Sequence, residues 1–157
     1  MLRQVPRFMH LDEQTFLRIV DATPLVSVDL VVRDSEGRVL LGQRTNRPAQ
    51  GFWFVPGGRI RKNERIDNAL TRIAQAELGA NADEAEFMGV YEHLYPDNFS
   101  GQAGISTHYI VLAYTCEFPQ ETQPQPDAQH SQFKWWKVED LLRSAEVHEN
   151  TKRYFLS

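Results

Sequence analysis

Residues 56–79 place the tightest constraint on what this chain can become. Pro56-Gly57-Gly58 halts the apolar run Phe52-Trp53-Phe54-Val55, and an amphipathic stretch then runs as far as Gly79. Ile66, Ala69, Leu70, Ile73 and Ala74 recur at helical spacing, which predicts a helix over about 63–78. Asn63 is placed to cap its start, and Gly79 to end it in a left-handed conformation.

Around that helix the pattern is mostly strand. Over 25–32, Val26, Val28, Leu30 and Val32 fall on one face and Ser27 and Asp29 on the other. The turn Asp34-Ser35-Glu36-Gly37 leads into a second strand over 39–44, read as its hairpin partner. Residues 52–55, 87–94, 107–118 and 133–136 complete the strands, with a polar loop over 95–105. Short helices are expected at 11–21, with Phe16, Ile19 and Val20 on one side, and at 138–143. One long helix after a Gly-Gly turn among many strands predicts an α/β (α+β) domain, an α/β/α arrangement on a mixed sheet. With 157 residues and no internal repeat, a single domain over 1–157 is expected.

Charge narrows the partners. The formal net charge is −4, which argues against general nucleic-acid binding. Yet Arg44, Arg47, Arg59, Arg61, Lys62, Arg65 and Arg72 face only Glu64 and Asp67 over 44–72. That cationic stretch suits a small polyanion, although a solvated basic face reads equally well from position alone. The lone Cys116 lies in an apolar run and has no disulfide partner in the chain, consistent with a reducing compartment. The first residues lack a signal-peptide core, and no apolar run reaches the roughly 18 residues of a membrane span. A cytoplasmic protein that partners neither membrane nor nucleic acid is expected.

The chemistry concentrates around the Gly-Gly turn. Backbone N–H groups of a glycine loop feeding a helix can cradle phosphate. Glu77, near the end of that helix and opposed by loop carbonyls, suits an oxygen-seeking ion such as Mg²⁺. Each piece alone is more often structural.

Together, Gly58, Glu64, Arg72, Glu77 and Gly79 stand at the spacing of the Nudix box, and the segment 58–80 resembles it. The likeness departs at two acidic positions, where Ile73 and Ala76 replace glutamates that gather metal ions in the wider family. That pair of losses resembles the GDP-mannose mannosyl hydrolase branch. So do the runs 44–59, 97–101, 107–109, 129–130 and 23–27. The resemblance implies a Nudix-type α/β/α sandwich that uses one Mg²⁺ per subunit, with Mn²⁺ as a substitute. It implies hydrolysis of a GDP-sugar to GDP and free sugar by inverting attack of water at C1. Glu77 and Gln129 would be metal ligands with a carbonyl of the Gly57-Gly58 turn, Gly57 being preferred. His130 would be the general base, and Arg44 and Arg59 would neutralise the departing diphosphate. Tyr109, His93, Arg72 and Asp29 match further catalytic positions, and His10, Leu11 and Phe16, with Arg44, would contact the nucleotide. The family also implies a homodimer, with residues 1–22 near its interface and the nucleotide.

Bland readings stand beside these. His130 could be a surface histidine, Tyr109 could be packing, Trp53 reads as core, and one of Trp135 and Trp136 is left open between core and stacking. Two rival functions remain: a Nudix pyrophosphatase that splits the P–O–P bridge of a nucleotide sugar, and a non-catalytic nucleotide sensor. Ile73 and Ala76 count against the first. Glu77, Gln129 and His130 occurring together count against the second.

Overall fold

Strand β1 (Leu25–Arg33) organises the sheet in the computed structural model, which describes residues 11–82, 84–118 and 130–156 (for residues 130 and 131 the backbone only). It is buried along nearly its whole length, only Val26 being well exposed. The alternation read in the sequence is therefore kept, but both faces are covered. Val28, Leu30 and Val32 pack under a helix, while Val31 joins a second apolar cluster on the opposite face.

The elements follow as helix α1 (Glu13–Ala22), β1, then β2 (Val39–Arg44), β3 (Trp53–Phe54) and β4 (Gly57–Arg59). Helix α2 (Ile66–Leu78), β5 (Glu86–Tyr95), β6 (Thr107–Glu117), β7 (His130–Trp136), α3 (Val138–Arg143), α4 (Glu149–Lys152) and a 3-10 turn (Arg153–Phe155) complete the order. The sheet is mixed: β1 runs parallel to β6 from Leu25↔Tyr109 to Arg33↔Glu117, and the other pairings are antiparallel. Helix α2 covers one face through Ala69, Ile73, Ala74 and Leu78. Leu141 of α3, Val147 and Tyr154 cover the other with Trp53 and Trp136. Each large apolar side chain so buried contributes about 1.5–3 kcal/mol. Among the described residues, no helix is long and apolar enough to cross a membrane.

Several expectations are corrected. The hairpin of β1 with β2 is brief, registered at Arg33↔Val39, because β2 pairs instead with β3 and with β7. In its place β4 joins β1 through Ser27↔Arg59, Val28↔Gly58 and Asp29↔Gly57. The Gly57-Gly58 turn is thus strand: Gly58 is bonded to Val28 in the ladder, while Gly57, opposite Asp29 between the hydrogen-bonded pairs, keeps its N–H and carbonyl out of it. Residue 57 must be glycine there, since a Cβ would lie 2.4 Å from Asp29 Oδ1 and 2.6 Å from the Val28 carbonyl oxygen.

The long helix begins at Ile66, with Arg65 at its N-cap and no side-chain cap. Asn63 instead takes a left-handed conformation (φ 65°), which asparagine tolerates well, and turns the chain before the helix. Gly79 ends the helix as anticipated, at φ 65°, with its N–H donating to the Gln75 carbonyl. In α1, Leu17 joins Val20 as the buried residue, while Phe16 and Ile19 are half-buried. Asp12 caps α1 by accepting from the Thr15 N–H at 2.8 Å. The C-terminal α4 and its 3-10 turn have no counterpart in the sequence reading.

Candidate active site

Where β2 parts from β1 and β4 takes its place, a cavity of about 370 Å³ opens. Strand β1 supplies Ser27 and Asp29 to its lining, β2 supplies Arg44, and β4 supplies Gly57, Gly58 and Arg59. Residues His93 and Tyr95 come from β5, Thr107 and Tyr109 from β6, and Phe16 and Val20 from α1. Loop 95–105 adds Phe99 and is held rigidly by Asn98, which is fully buried. The Asn98 amide donates to the carbonyls of Gln102 and Ile105, and its oxygen accepts from the Ser100 N–H and hydroxyl. Phe99 then meets Phe16 with ring centroids 4.9 Å apart.

The cavity is electropositive in its ionisable lining: Arg44, Arg47 and Arg59 against one acid, Asp29. The Arg44 guanidinium Nε donates to the Pro48 carbonyl at 3.0 Å, which secures the loop after β2. Arg59 is stacked over the Phe16 ring at 4.8 Å, and burial pulls its pKa down, with Tyr109 acting in the opposite direction. Asp29 is pushed up to about 7 by burial, against the hydrogen bond from Tyr154 and the charge of Arg44. His93 is 3% exposed, and burial lowers it to about 4, helped by His148 and Arg153, so its ring is neutral near pH 7. Burial raises the Tyr109 phenol, leaving it a protonated donor beside the two arginines. Tyr154 donates its hydroxyl proton to Asp29 Oδ2 at 2.5 Å, and His93 Nε2 lies 3.2 Å from the same hydroxyl.

The structure brings together Phe16, Asp29, Arg44, Gly57, Arg59, His93 and Tyr109 around this cavity. Arg72 does not line it. Its Nε and Nη2 donate to the Glu64 carboxylate at 2.7 and 2.9 Å, and Nη2 also donates to the Arg59 carbonyl at 2.8 Å. Arg72 therefore holds β4 from beneath. Leu11 and Glu77 are half-buried and also stand outside the lining. His10 and Gln129 lie outside the described residues, as does the His130 side chain; the His130 backbone pairs with Arg44 across the β2–β7 ladder. Trp53 and Trp136 are core, in edge-on contact at 5.5 Å.

Sequence reasoning passed over Phe54, Tyr95 and Thr107, and above all Tyr154. The last is 125 residues from Asp29, a separation that no local spacing can signal.

The donor set limits what metal the site could hold. Among the described residues there is no group of three or more His, Cys, Asp or Glu side chains placed to bind an ion. A divalent ion held there would draw on single carboxylates and backbone carbonyls and take its remaining oxygens from substrate phosphates and water, the usual manner of Mg²⁺.

The NUDIX domain profile matches residues 23–157. This chain is a Nudix protein. Within the Nudix box, Glu64 and Arg72 are an ion pair, Gly79 is the helix stop, Ile73 is buried, and Ala76 is exposed. The low-salt glycan biosynthesis protein Agl8 of Haloferax volcanii is 47% identical over 117 residues, which cover 74% of this chain and 72% of that protein. The 8-oxo-dGDP phosphatase NUDT18 of Homo sapiens is 25% identical over 119 residues, or 76% of this chain but 34% of its own length. Among solved structures, a MutT protein from Methanosarcina mazei superposes with TM-score 0.68 at 17% identity, covering 85% of this chain and 92% of that one. The NUDIX domain of Shewanella oneidensis NrtR, solved with ADP ribose, gives 0.63 at 23% identity, covering 92% and 96%. These last two share the Nudix fold, whose hydrolases generally use a divalent metal such as Mg²⁺.

Proposed function

We propose that this Nudix protein hydrolyses a GDP-sugar, GDP-mannose or GDP-glucose, to GDP and free sugar, with water attacking C1 and inverting it. The observation that carries this reading is Ile73. Where the Nudix box has a metal-gathering glutamate, this chain has an isoleucine 2% exposed, packed among Val28, Leu30 and Ala69. Ala76 at the second position brings no ligand. Attack at phosphorus by a metal-activated water loses its usual support, whereas attack at carbon chiefly needs a stabilised leaving group.

Arg44 and Arg59 supply that stabilisation in the reading, receiving the negative charge that grows on the diphosphate as the C1–O bond breaks. Tyr109, kept protonated by burial, donates to the departing oxygen. His130 takes the proton from the attacking water, and its backbone pairing with Arg44 favours a position at the cavity edge. Phe16, with Leu11 and His10, contacts the nucleotide. Asp29 and His93 form the polar floor, and Arg72 serves through its hold on Arg59. Glu77, Gln129 and the Gly57 carbonyl would hold one Mg²⁺, which when bound lowers the charge of the diphosphate. A homodimer in the cytoplasm belongs to the same proposal.

The likeness to Agl8, a protein named for glycan biosynthesis, supports a sugar-bearing nucleotide. The rival is cleavage of the P–O–P bridge, for which the likeness to the ADP-ribose pyrophosphatase of Methanocaldococcus jannaschii speaks over 68 residues only, 43% of this chain and 40% of that protein, at 31% identity. Products formed from GDP-mannose with Mg²⁺ decide between them. GDP and mannose are expected; GMP and mannose 1-phosphate would establish the rival, and no turnover would leave a nucleotide sensor.

A further inference from the structure

We infer that Tyr154, on the C-terminal 3-10 turn, is a positioning residue of the active site, its hydroxyl bridging Asp29 and His93 and fixing both on the cavity floor. The inference rests on the proposed reaction only in that Asp29 and His93 are taken to act in it. The bridge itself is geometric. Tyr154 is 6% exposed, does not line the cavity, and packs edge-on against Tyr91 with centroids 4.7 Å apart. Its hydroxyl has one proton. With Asp29 ionised, above its pKa of about 7, the proton goes to Asp29 Oδ2 and the oxygen is left as an acceptor, so the His93 Nε2 lying 3.2 Å away carries hydrogen. The neutral His93 ring is thereby held as the Nε2–H tautomer, and Nδ1 becomes its acceptor.

A purely packing role explains this poorly. A carboxylate, a phenol and an imidazole buried together cost desolvation that an apolar trio of the same volume would avoid. Two of the three face the cavity, and the third ties them to the last turn of the chain. Through Tyr154 the C-terminal α4 and 3-10 turn become part of the catalytic architecture, although none of their residues lines the cavity.

The test uses the full chain with ¹⁵N-labelled histidine and the variants Tyr154→Phe, Asp29→Asn and both together. Tyr154→Phe keeps the ring on Tyr91 and removes only the bridge. At about pH 8.5, where Asp29 is ionised, His93 of the parent protein should show a protonated Nε2, and in Tyr154→Phe that signal should shift or average between tautomers. Asp29→Asn should move the His93 signal when Tyr154 is present and leave it still when residue 154 is phenylalanine. With GDP-mannose, Tyr154→Phe should lower kcat about tenfold or more, consistent with losing a hydrogen bond to a charged group, while KM changes less than about threefold. In the Asp29→Asn background the same substitution should cost far less. A His93 signal indifferent to both substitutions, or fully additive losses of turnover, would overturn the inference. Should Tyr154→Phe not fold, the response of His93 to Asp29→Asn decides alone. Failure to hydrolyse GDP-mannose would remove the proposed reaction without touching the histidine signal, so the two failures are told apart.

Discussion

Ile73 lies directly against Gly58: a Cβ built on the glycine would stand 3.1 Å from Ile73 Cγ1. The first helical position at which the Nudix box ordinarily presents a carboxylate is here an apolar plug beneath the strand that lines the cavity. Restoring the carboxylate should therefore not restore a metal cluster. Ile73→Glu is expected to destabilise the chain by about 3–5 kcal/mol, the usual result of burying a charge without a partner. Urea denaturation measures the loss, and product analysis should show no GMP from GDP-mannose. A stable variant that releases GMP would mean that the site lacks only this ligand for phosphorus chemistry.

Arg72 should behave as a structural clasp. Arg72→Lys keeps the charge but cannot reproduce the fork that reaches both Glu64 oxygens and the Arg59 carbonyl. The expected loss is about 1–3 kcal/mol of stability, with turnover reduced because Arg59 is no longer held from below. Stability unchanged in urea alongside lost activity would make Arg72 a substrate contact instead.

Glu77→Gln should raise the magnesium concentration needed for activity, since it removes the one box carboxylate left on the last turns of α2. A magnesium titration reads this directly. Equal activity at low magnesium in the variant and the parent would place the ion elsewhere.

Asp29 and His93 should oppose each other in the pH dependence of stability, measured with metal chelated. His93 is depressed to about 4 in the fold from a reference near 6.5. The unfolded chain binds the proton first as pH falls, so stability drops from about pH 6.5 toward 4. Asp29 is raised to about 7 from 3.8, so the folded chain holds its proton longer and stability drops as pH rises from about 4 to 7. Each effect is on the order of 3 kcal/mol from shifts of this size. The parent should be flatter across this window than either variant. Asp29→Asn should leave stability rising with pH, and His93→Gln should leave it falling. Identical slopes in all three proteins would contradict the burial of these groups.

How much of this was legible in the sequence depended on range. The spacing of Ile66, Ala69, Ile73 and Ala74, the Gly79 stop and the short helix at 138–143 are local signals, and each element formed where its periodicity placed it. Strand β4 was hidden, because two glycines have low strand propensity and their pairing partner, β1, lies about 30 residues upstream. Asn63 was misread for a related reason: the same side chain that caps helices also tolerates the left-handed turn it occupies. In the site, Asp29, Arg44, Arg59, His93 and Tyr109 converge from five strands, and their roles were reachable only through resemblance, since no spacing joins them. Arg72 shared that resemblance and yet sits beneath the cavity. Tyr154 had no signal of either kind.

In the proposed reaction the sugar carbon, not phosphorus, receives water, and hydrolysis of GDP-mannose in ¹⁸O-water shows which atom is attacked. Label is expected in the mannose and none in GDP, with β-mannose as the first anomer seen by NMR from the α-linked substrate. Label in a phosphate of either product would contradict it, whatever the nucleotide cleaved.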